Sequence, residues 1–292
     1  MKRSIGSVQR QTLKDIEIIP VNDCSIDNSL EILTKMAEND LRIKIINNNN
    51  NRGLLYSRAM GILNSKGEYL INLDPDDELN SSDSLEYLYN IAKKSNIDIV
   101  CFNLFLNLDN STIIKCSNYH HILRQPKLFK SIFDGNNRLN DFLISNKLIK
   151  REILLKAYDF FKNRIIDEKW TFHEDNIWSI LVYKNAQSMI CLNKIIYVYY
   201  LNKESSMLNR GNLLELKNII YRHQMFEEIF DPKNEEQYLI AGFFEFKFII
   251  ENNHNFISII KNNKEIKNSV TQIFRKYMNI NESATIKLKG IS

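Results

Sequence analysis

The chain has few of the residues that build specialised scaffolds. Four cysteines occur in 292 residues, and Cys24, Cys101, Cys116 and Cys191 form no C-x-x-C or Cys/His spacing. That argues against a disulfide framework or a zinc site and fits reduced thiols in a cytosolic compartment. Basic and acidic residues nearly balance, 39 against 35. The surplus of +4 is scattered rather than gathered into a stripe, so no nucleic-acid partner is expected. Nowhere do 18 apolar residues run together. The most apolar stretch, residues 239–250, is broken by Glu245 and Lys247, so no transmembrane segment is expected. The opening Met-Lys-Arg-Ser-Ile-Gly lacks the apolar block of a signal peptide. The expectation is a cytoplasmic protein, with peripheral contact at a membrane as the alternative. No internal repeat is visible.

Core material is ample. Hydrophobic residues make up 44% and charged residues 25%, which does not read as disorder. The length suits one large or two modest domains at about 150 residues each. Asparagine is abundant beside only eight glycines and four prolines, a composition typical of AT-rich coding that says little about function.

The first hundred residues alternate strand and helix. Residues 16–21, 42–46, 68–73 and 97–103 read as strands, and 29–37, 54–63 and 82–94 as helices. Such alternation predicts βαβ units in an α/β, mostly parallel sheet flanked by helices, with ligands beyond the carboxyl ends of the strands. Asp23, the Asn-rich tract 47–53 and the cluster Asp74-Pro75-Asp76-Asp77 all fall at those ends. Further on, 111–125 suggests a short hairpin, 147–157 and 174–184 helices, and 194–201 a strand. Three amphipathic helices are expected at 213–230, 236–251 and 256–278. A boundary near residue 210 is expected to separate domain 1–210 from a helical C-terminal extension, 211–292.

Individually, the polar residues at the strand ends admit plain readings. Asp74, Asp76 and Asp77 repel one another unless a cation compensates, which suits Mg²⁺ or Mn²⁺; they would equally serve as a solvated turn capping the next helix. Asp23 could simply close an Asx turn. Arg58, early in a helix beside the crevice, is placed for a phosphate or for nothing more than a helix surface. Glu174-Asp175 could be an ordinary acidic helix start. Tyr197, Tyr199 and Tyr200 read as strand packing, His120 and His121 as a solvated loop, and Phe243, Phe244, Phe246 and Phe248 as packing, with a membrane or oligomer contact as the alternative.

Four segments in order change the balance. Gln11-Thr12 with Glu17-Ile18-Ile19, Asn22-Asp23-Cys24-Ser25-x-Asp27-x-Ser29, Asn51-x-Gly53-x4-Arg58 and Gly67-x-Tyr69-x3-Leu73-Asp74-x-Asp76-Asp77 closely resemble family 2 glycosyltransferases of the GT-A fold. Downstream, Asn146-Lys147-Leu148-Ile149-Lys150-Arg151, His173-Glu174-Asp175 and Tyr197-Val198-Tyr199 resemble later elements of that family more weakly. The resemblance implies a sugar transfer with inversion from a nucleotide-sugar donor, usually a UDP-sugar, to a glycan, lipid or protein acceptor. By position, Asp23 would contact the base, Arg58 and Asp74 would hold the nucleotide, and Asp76, as the second acid of D-x-D, would bind Mn²⁺ or Mg²⁺. Asp175 would be the general base, with Glu174 the less favoured candidate. This division of work suits the chemistry. A leaving diphosphate needs its growing charge stabilised, and an acceptor hydroxyl needs a base on the opposite face.

The chain departs from the pattern in three ways. The family opens with a V-S-V-I-I-P-x-Y-N strand, whereas Met1 here falls within what corresponds to the following helix, residues 4–11. A missing first strand would leave sheet groups unpaired and open the base site, so the rival expectation is a truncated, catalytically impaired binding or partner protein. Pro20 sits inside a strand it cannot fully pair. Cys24 and His173 stand where the family usually has glycine.

Overall fold

The computed structural model describes residues 1–107, 112–114, 120–131, 142–163, 170, 173–200 and 211–278, apart from the side chains of 112, 114, 131, 236, 237, 240, 241, 243–245, 248 and 278. The chain divides into two compact units, one of Met1–Trp170 with Glu174–Asn202, the other of Thr171–His173 with Lys203–Ser292.

The first unit opens with α1 (Lys2–Gln9), whose Ile5 is buried against Ile18, Leu33 and Ile43. Strand β1 (Val21–Asn22) pairs in parallel with β2 (Ile46–Asn47) on either side of α2 (Ser29–Glu38). The strand expected over 16–21 is shorter than its apolar run, and Pro20 supplies the reason. Ile18 bonds both ways, donating to the Arg42 carbonyl and accepting from Lys44 N–H, each at 2.8 Å. Pro20 only accepts, from Ile46 N–H at 3.0 Å, because it has no N–H to return. Regular pairing resumes at Val21.

After α3 (Leu54–Asn64) come β3 (Tyr69–Ile71), β4 (Glu78–Leu79), α4 (Ser84–Ser95) and β5 (Ile99–Asn107). Then follow β6 (Thr112–Ile114), β7 (Leu123–Arg124), α5 (Lys127–Ser131), β8 (Lys147–Lys150), α6 (Arg151–Phe161), α7 (Glu174–Asn185) and β9 (Ser188–Tyr200). The larger sheet runs β3-β8-β5-β9-β4, with β6 on β5 and β7 on β9. The α/β class stands, but this sheet is mixed rather than mostly parallel. Only β5–β9 is parallel, and β3–β8, β5–β8, β4–β9, β5–β6 and β7–β9 are antiparallel. The chain beyond residue 104, where alternation fades, supplies β8 and β9, and these turn the sheet.

Two local expectations change. The segment 147–157 is not one helix, because Lys147–Lys150 forms β8 and the helix starts at Arg151. The apolar Leu148 and Ile149 are claimed by pairing to β3 and β5. Of the expected hairpin at 111–125, β6 and β7 pair with different partners rather than with each other. Helix α7 is buried on every side from Ile177 to Tyr183, with Trp178 edge-on to Phe161 at 4.7 Å between ring centroids. It therefore lacks the polar stripe of a surface helix.

The second unit contains α8 (Leu213–Ile229), α9 (Glu236–Glu251), α10 (His254–Asn262) and α11 (Lys264–Met278). Phe246, Ile250, Phe256, Ile260, Val270 and Phe274 are buried together with residues of α8. Phe246 is thus packing, as read, while the side chains of Phe243, Phe244 and Phe248 lie outside the described residues. The helix expected over 256–278 breaks at Asn263, whose extended backbone and side-chain acceptor for Ile266 N–H at 3.1 Å start a new helix.

Candidate active site

Arg58 organises the crevice. It lies on α3, and its side chain is only 9% exposed. Its Nη1 donates to Glu174 Oε1 at 2.7 Å and to Asp175 Oδ1, and its Nη2 donates to Asp74 Oδ1 at 3.3 Å. One guanidinium thus joins the acidic tip after β3 to the first turn of α7, across more than a hundred residues of sequence. Burial works against the charge of Arg58, yet Asp175, Asp74 and Glu174 hold it above the ordinary arginine range. Burial pushes Asp175 up, with Arg58 and Lys147 opposing and Asp74 adding to the rise. Glu174 is pushed up to about 8, by burial first and then by the charge of Asp175. The two acids differ in access, with the Glu174 side chain 7% exposed and Asp175 23%.

Within the acidic tip the three aspartates face different ways. Asp77 is fully buried and accepts from the Tyr197 hydroxyl at 2.6 Å and from Tyr200 N–H at 2.8 Å. Burial lifts its carboxyl to about 7, against those two donors and with the charges of Asp74 and Asp76. The Tyr197 hydroxyl also accepts from Asp74 N–H at 3.1 Å, so one side chain of β9 fixes both ends of the turn. Tyr197 is therefore more than strand packing. Asp76, between them, is partly exposed, and its main-chain carbonyl accepts from Arg3 Nη2 at 2.6 Å. Among the described residues no group of three or more His, Cys, Asp or Glu side chains is arranged to hold a metal.

Asp23 stands apart from the Arg58 cluster. Its Oδ1 accepts from Asn48 Nδ2 and Arg52 N–H, both at 2.9 Å, and its Oδ2 from Gly53 N–H at 2.8 Å. It thereby ties the end of β1 to the turn leading into α3. That turn is held from the other side too, since Leu54 and Leu55 donate their N–H groups to the Trp170 carbonyl at 2.7 and 3.2 Å. Gly53 has φ +84°, and a Cβ there would lie 2.6 Å from that carbonyl oxygen. The free donors of this helix N-terminus are thus partly consumed by the protein itself.

Sequence reasoning gave no site role to Tyr197, Asn48, Trp170 or the buried Lys147. Lys147 donates from Nζ to Asn146 Oδ1 at 2.6 Å and to the Leu143 carbonyl. Lys147 and Tyr197 each carried a signal, their places in the Asn146–Arg151 and Tyr197–Tyr199 segments, and Asn48 lay in the Asn-rich tract 47–53. The two departures from glycine make structural sense together. Cys24 has φ 56° and His173 φ 60°, so both keep a left-handed backbone that side chains ordinarily avoid.

Solved structures define the class to which this fold belongs. S. aureus TarS 1–349 matches with a TM-score of 0.64 at 16% identity, over 95% of this chain and 76% of that one. The same TarS fragment in complex with UDP-GlcNAc matches with a TM-score of 0.66, also at 16% identity, over 94% of this chain and 76% of that one. At that identity the likeness speaks for the fold alone, an α/β glycosyltransferase architecture. Sequence supplies the family. The model of glycosyl transferase family 2 matches residues 1–156, and the chain belongs to that family.

Among relatives, the cholesterol galactosyltransferase of Borreliella burgdorferi is 32% identical over 243 residues, 77% of this chain and 64% of that one. The glycosyltransferase EpsJ of Bacillus subtilis is 30% identical over 70% of this chain and 58% of its own length. The poly(ribitol-phosphate) beta-N-acetylglucosaminyltransferase TarP of Staphylococcus aureus is 26% identical over 83% of this chain and 73% of its own. The chain spans less than two thirds of the first two. No helix among the described residues is long and apolar enough to cross a membrane.

Proposed function

We propose that this chain transfers a sugar, with inversion, from a nucleoside-diphosphate donor (a UDP-sugar) to an acceptor hydroxyl. The observation that carries the reading is the bridge from the acidic tip to Asp175, which sets a donor-side group and a half-buried carboxylate beside one another at the strand ends. In the reaction, Asp175 accepts the proton of the acceptor hydroxyl as that oxygen attacks the anomeric carbon. Attack opposite the departing UDP inverts the centre. Asp175 is preferred over Glu174 because it is the more exposed of the two and because Glu174, at about 8, holds its own proton near neutral pH.

Asp23 would recognise the base. A carboxylate offers about four lone-pair positions, and three are in use, so Oδ2 retains one for the uracil imide N–H. Asp74, with its main chain anchored by Tyr197, would border the nucleotide. A single carboxylate at Asp76 fits a hard cation that takes most of its ligands from substrate phosphates and water. Mn²⁺ or Mg²⁺ held there would offset the charge growing on the departing diphosphate. The relatives' names point to acceptors as different as cholesterol and poly(ribitol-phosphate), and the acceptor proposed for this chain is a hydroxyl on a glycan, lipid or protein.

The test is calorimetry with UDP and Mn²⁺ together with release of UDP from a panel of UDP-sugars. Asp175→Asn is expected to keep UDP affinity within about threefold while turnover falls by about 10²–10⁴. Asp76→Ala should weaken metal-dependent UDP binding. Absence of metal-dependent UDP binding by the unmodified chain would refute the proposal and favour the impaired relative.

A further inference from the structure

We propose that Arg58 is a positioning residue for the base and not a grip on the donor diphosphate: its fork fixes Asp175 against Glu174 and Asp74. The inference rests on the reading of Asp175 as base given above.

Three observations carry it. First, the guanidinium is buried, and both of its terminal nitrogens are committed to carboxylates of this chain. Three acids contact the Arg58 guanidinium, and even with Glu174 protonated Asp74 and Asp175 outnumber it, the further cation acting on Asp175 being Lys147, whose Nζ bonds to Asn146 and the Leu143 carbonyl. A diphosphate approaching Arg58 would meet repulsion from Asp74 and Asp175 before it met the cation. Second, the element carrying Arg58 is clamped near its start, by Asp23 on one side and the Trp170 carbonyl on the other. Trp170 lies four residues before Glu174. The clamp and the fork together fix α3 against the start of α7, which is what orienting a base to sub-ångström tolerance requires.

Third, the electrostatics suit a base. The charged groups acting on Asp175 are Arg58 from α3, Asp74 from the tip after β3, Lys147 from β8 and its neighbour Glu174. Burial and Asp74 favour the protonated acid, whereas Arg58 and Lys147 favour the carboxylate that can accept a proton. Removing Arg58 therefore tilts Asp175 toward the form that cannot serve.

The test compares the unmodified chain, Arg58→Gln and Arg58→Lys for UDP affinity by calorimetry with Mn²⁺, for donor KM and kcat, and for the pH profile of kcat. For Arg58→Gln we expect kcat to fall about 10²-fold, as for a base left loosely placed. UDP affinity and donor KM should stay within about threefold. The acid limb of kcat should move to higher pH, because burial and Asp74 then act on Asp175 with Lys147 as the remaining opposing charge among the described residues. Arg58→Lys should return the acid limb toward its original position while restoring only part of the rate, since an ammonium lacks the fork. If Arg58→Gln does not fold by thermal melting, Arg58→Lys is read against the unmodified chain by rate and affinity alone: a lowered kcat with UDP affinity within about threefold supports the proposal, and a more than tenfold loss of UDP affinity or an unchanged kcat overturns it.

A more than tenfold loss of UDP affinity with an unmoved acid limb would overturn the proposal and make Arg58 a phosphate ligand. So would kcat within about threefold of the original. Full turnover by Asp175→Asn would instead sink the assignment of the base, a failure that leaves its mark in a different variant.

Discussion

Replacing Tyr197 with phenylalanine removes one oxygen from a buried strand and should be felt at the acidic tip. That hydroxyl donates to Asp77 at 2.6 Å and accepts from Asp74 N–H at 3.1 Å. Its loss leaves the buried Asp77 carboxyl with Tyr200 N–H as its remaining described donor. A hydrogen bond to a charged group contributes about 1.5–3 kcal/mol, and a neutral one about 1. The cost therefore depends on whether Asp77 is ionised, and its carboxyl titrates at about 7.

Because the folded carboxyl lies above its ordinary value, ionising Asp77 works against folding. Stability contributed by its protonated form is present at low pH and declines as pH rises toward 7, with a slope of at most about 1.4 kcal/mol per pH unit. In Tyr197→Phe the carboxylate is still less welcome. The difference from the unmodified chain should be about 1 kcal/mol at pH 6 and grow to about 2–3 kcal/mol at pH 8.5. Urea unfolding at the two pH values measures it directly, and the melting temperature should fall by about 4–12 °C at the higher pH. A destabilisation equal at both pH values would refute the assignment of Asp77 as the titrating partner. One below about 0.5 kcal/mol at both would refute the structural role of the hydroxyl altogether.

Two other substitutions probe the turns that hold the site. Gly53→Ala places a Cβ 2.6 Å from the Trp170 carbonyl at a φ of +84° and should destabilise by about 2–4 kcal/mol, read by chemical denaturation. Unchanged stability would mean that the α3 turn is not clamped as described. Cys24→Gly should stabilise by about 0.5–1 kcal/mol, the relief of left-handed strain less the entropy glycine adds to the unfolded chain; a loss of stability would contradict the positive φ of Cys24.

Much of the candidate site was legible because its residues cluster in short segments. Asp74, Asp76 and Asp77 fall within four consecutive residues, and Glu174 and Asp175 are adjacent. Local pattern placed each group at an element's end, where a strand's hydrophobic run stops or a helix begins. The helices at 54–63 and 174–184 were likewise legible from local sequence. Where pattern misled, tertiary pairing decided. The residues of β8 have a helix-compatible spacing but pair on both sides with strands. Asn263 interrupts an otherwise continuous amphipathic run by acting as a cap.

From composition and order alone came the α/β class, the family resemblance and the six acidic and basic candidates, since these depend on residue type, spacing and hydrophobic period. Only the folded chain decided what those residues do to one another. That Arg58 faces acids from two distant segments, that Asp77 turns inward to Tyr197, and that Asp175 is the more accessible of two neighbouring carboxylates are all consequences of contacts between residues far apart in sequence. Burial and the sign of neighbouring charges set the character of an ionisable group, and neither is written in its local sequence.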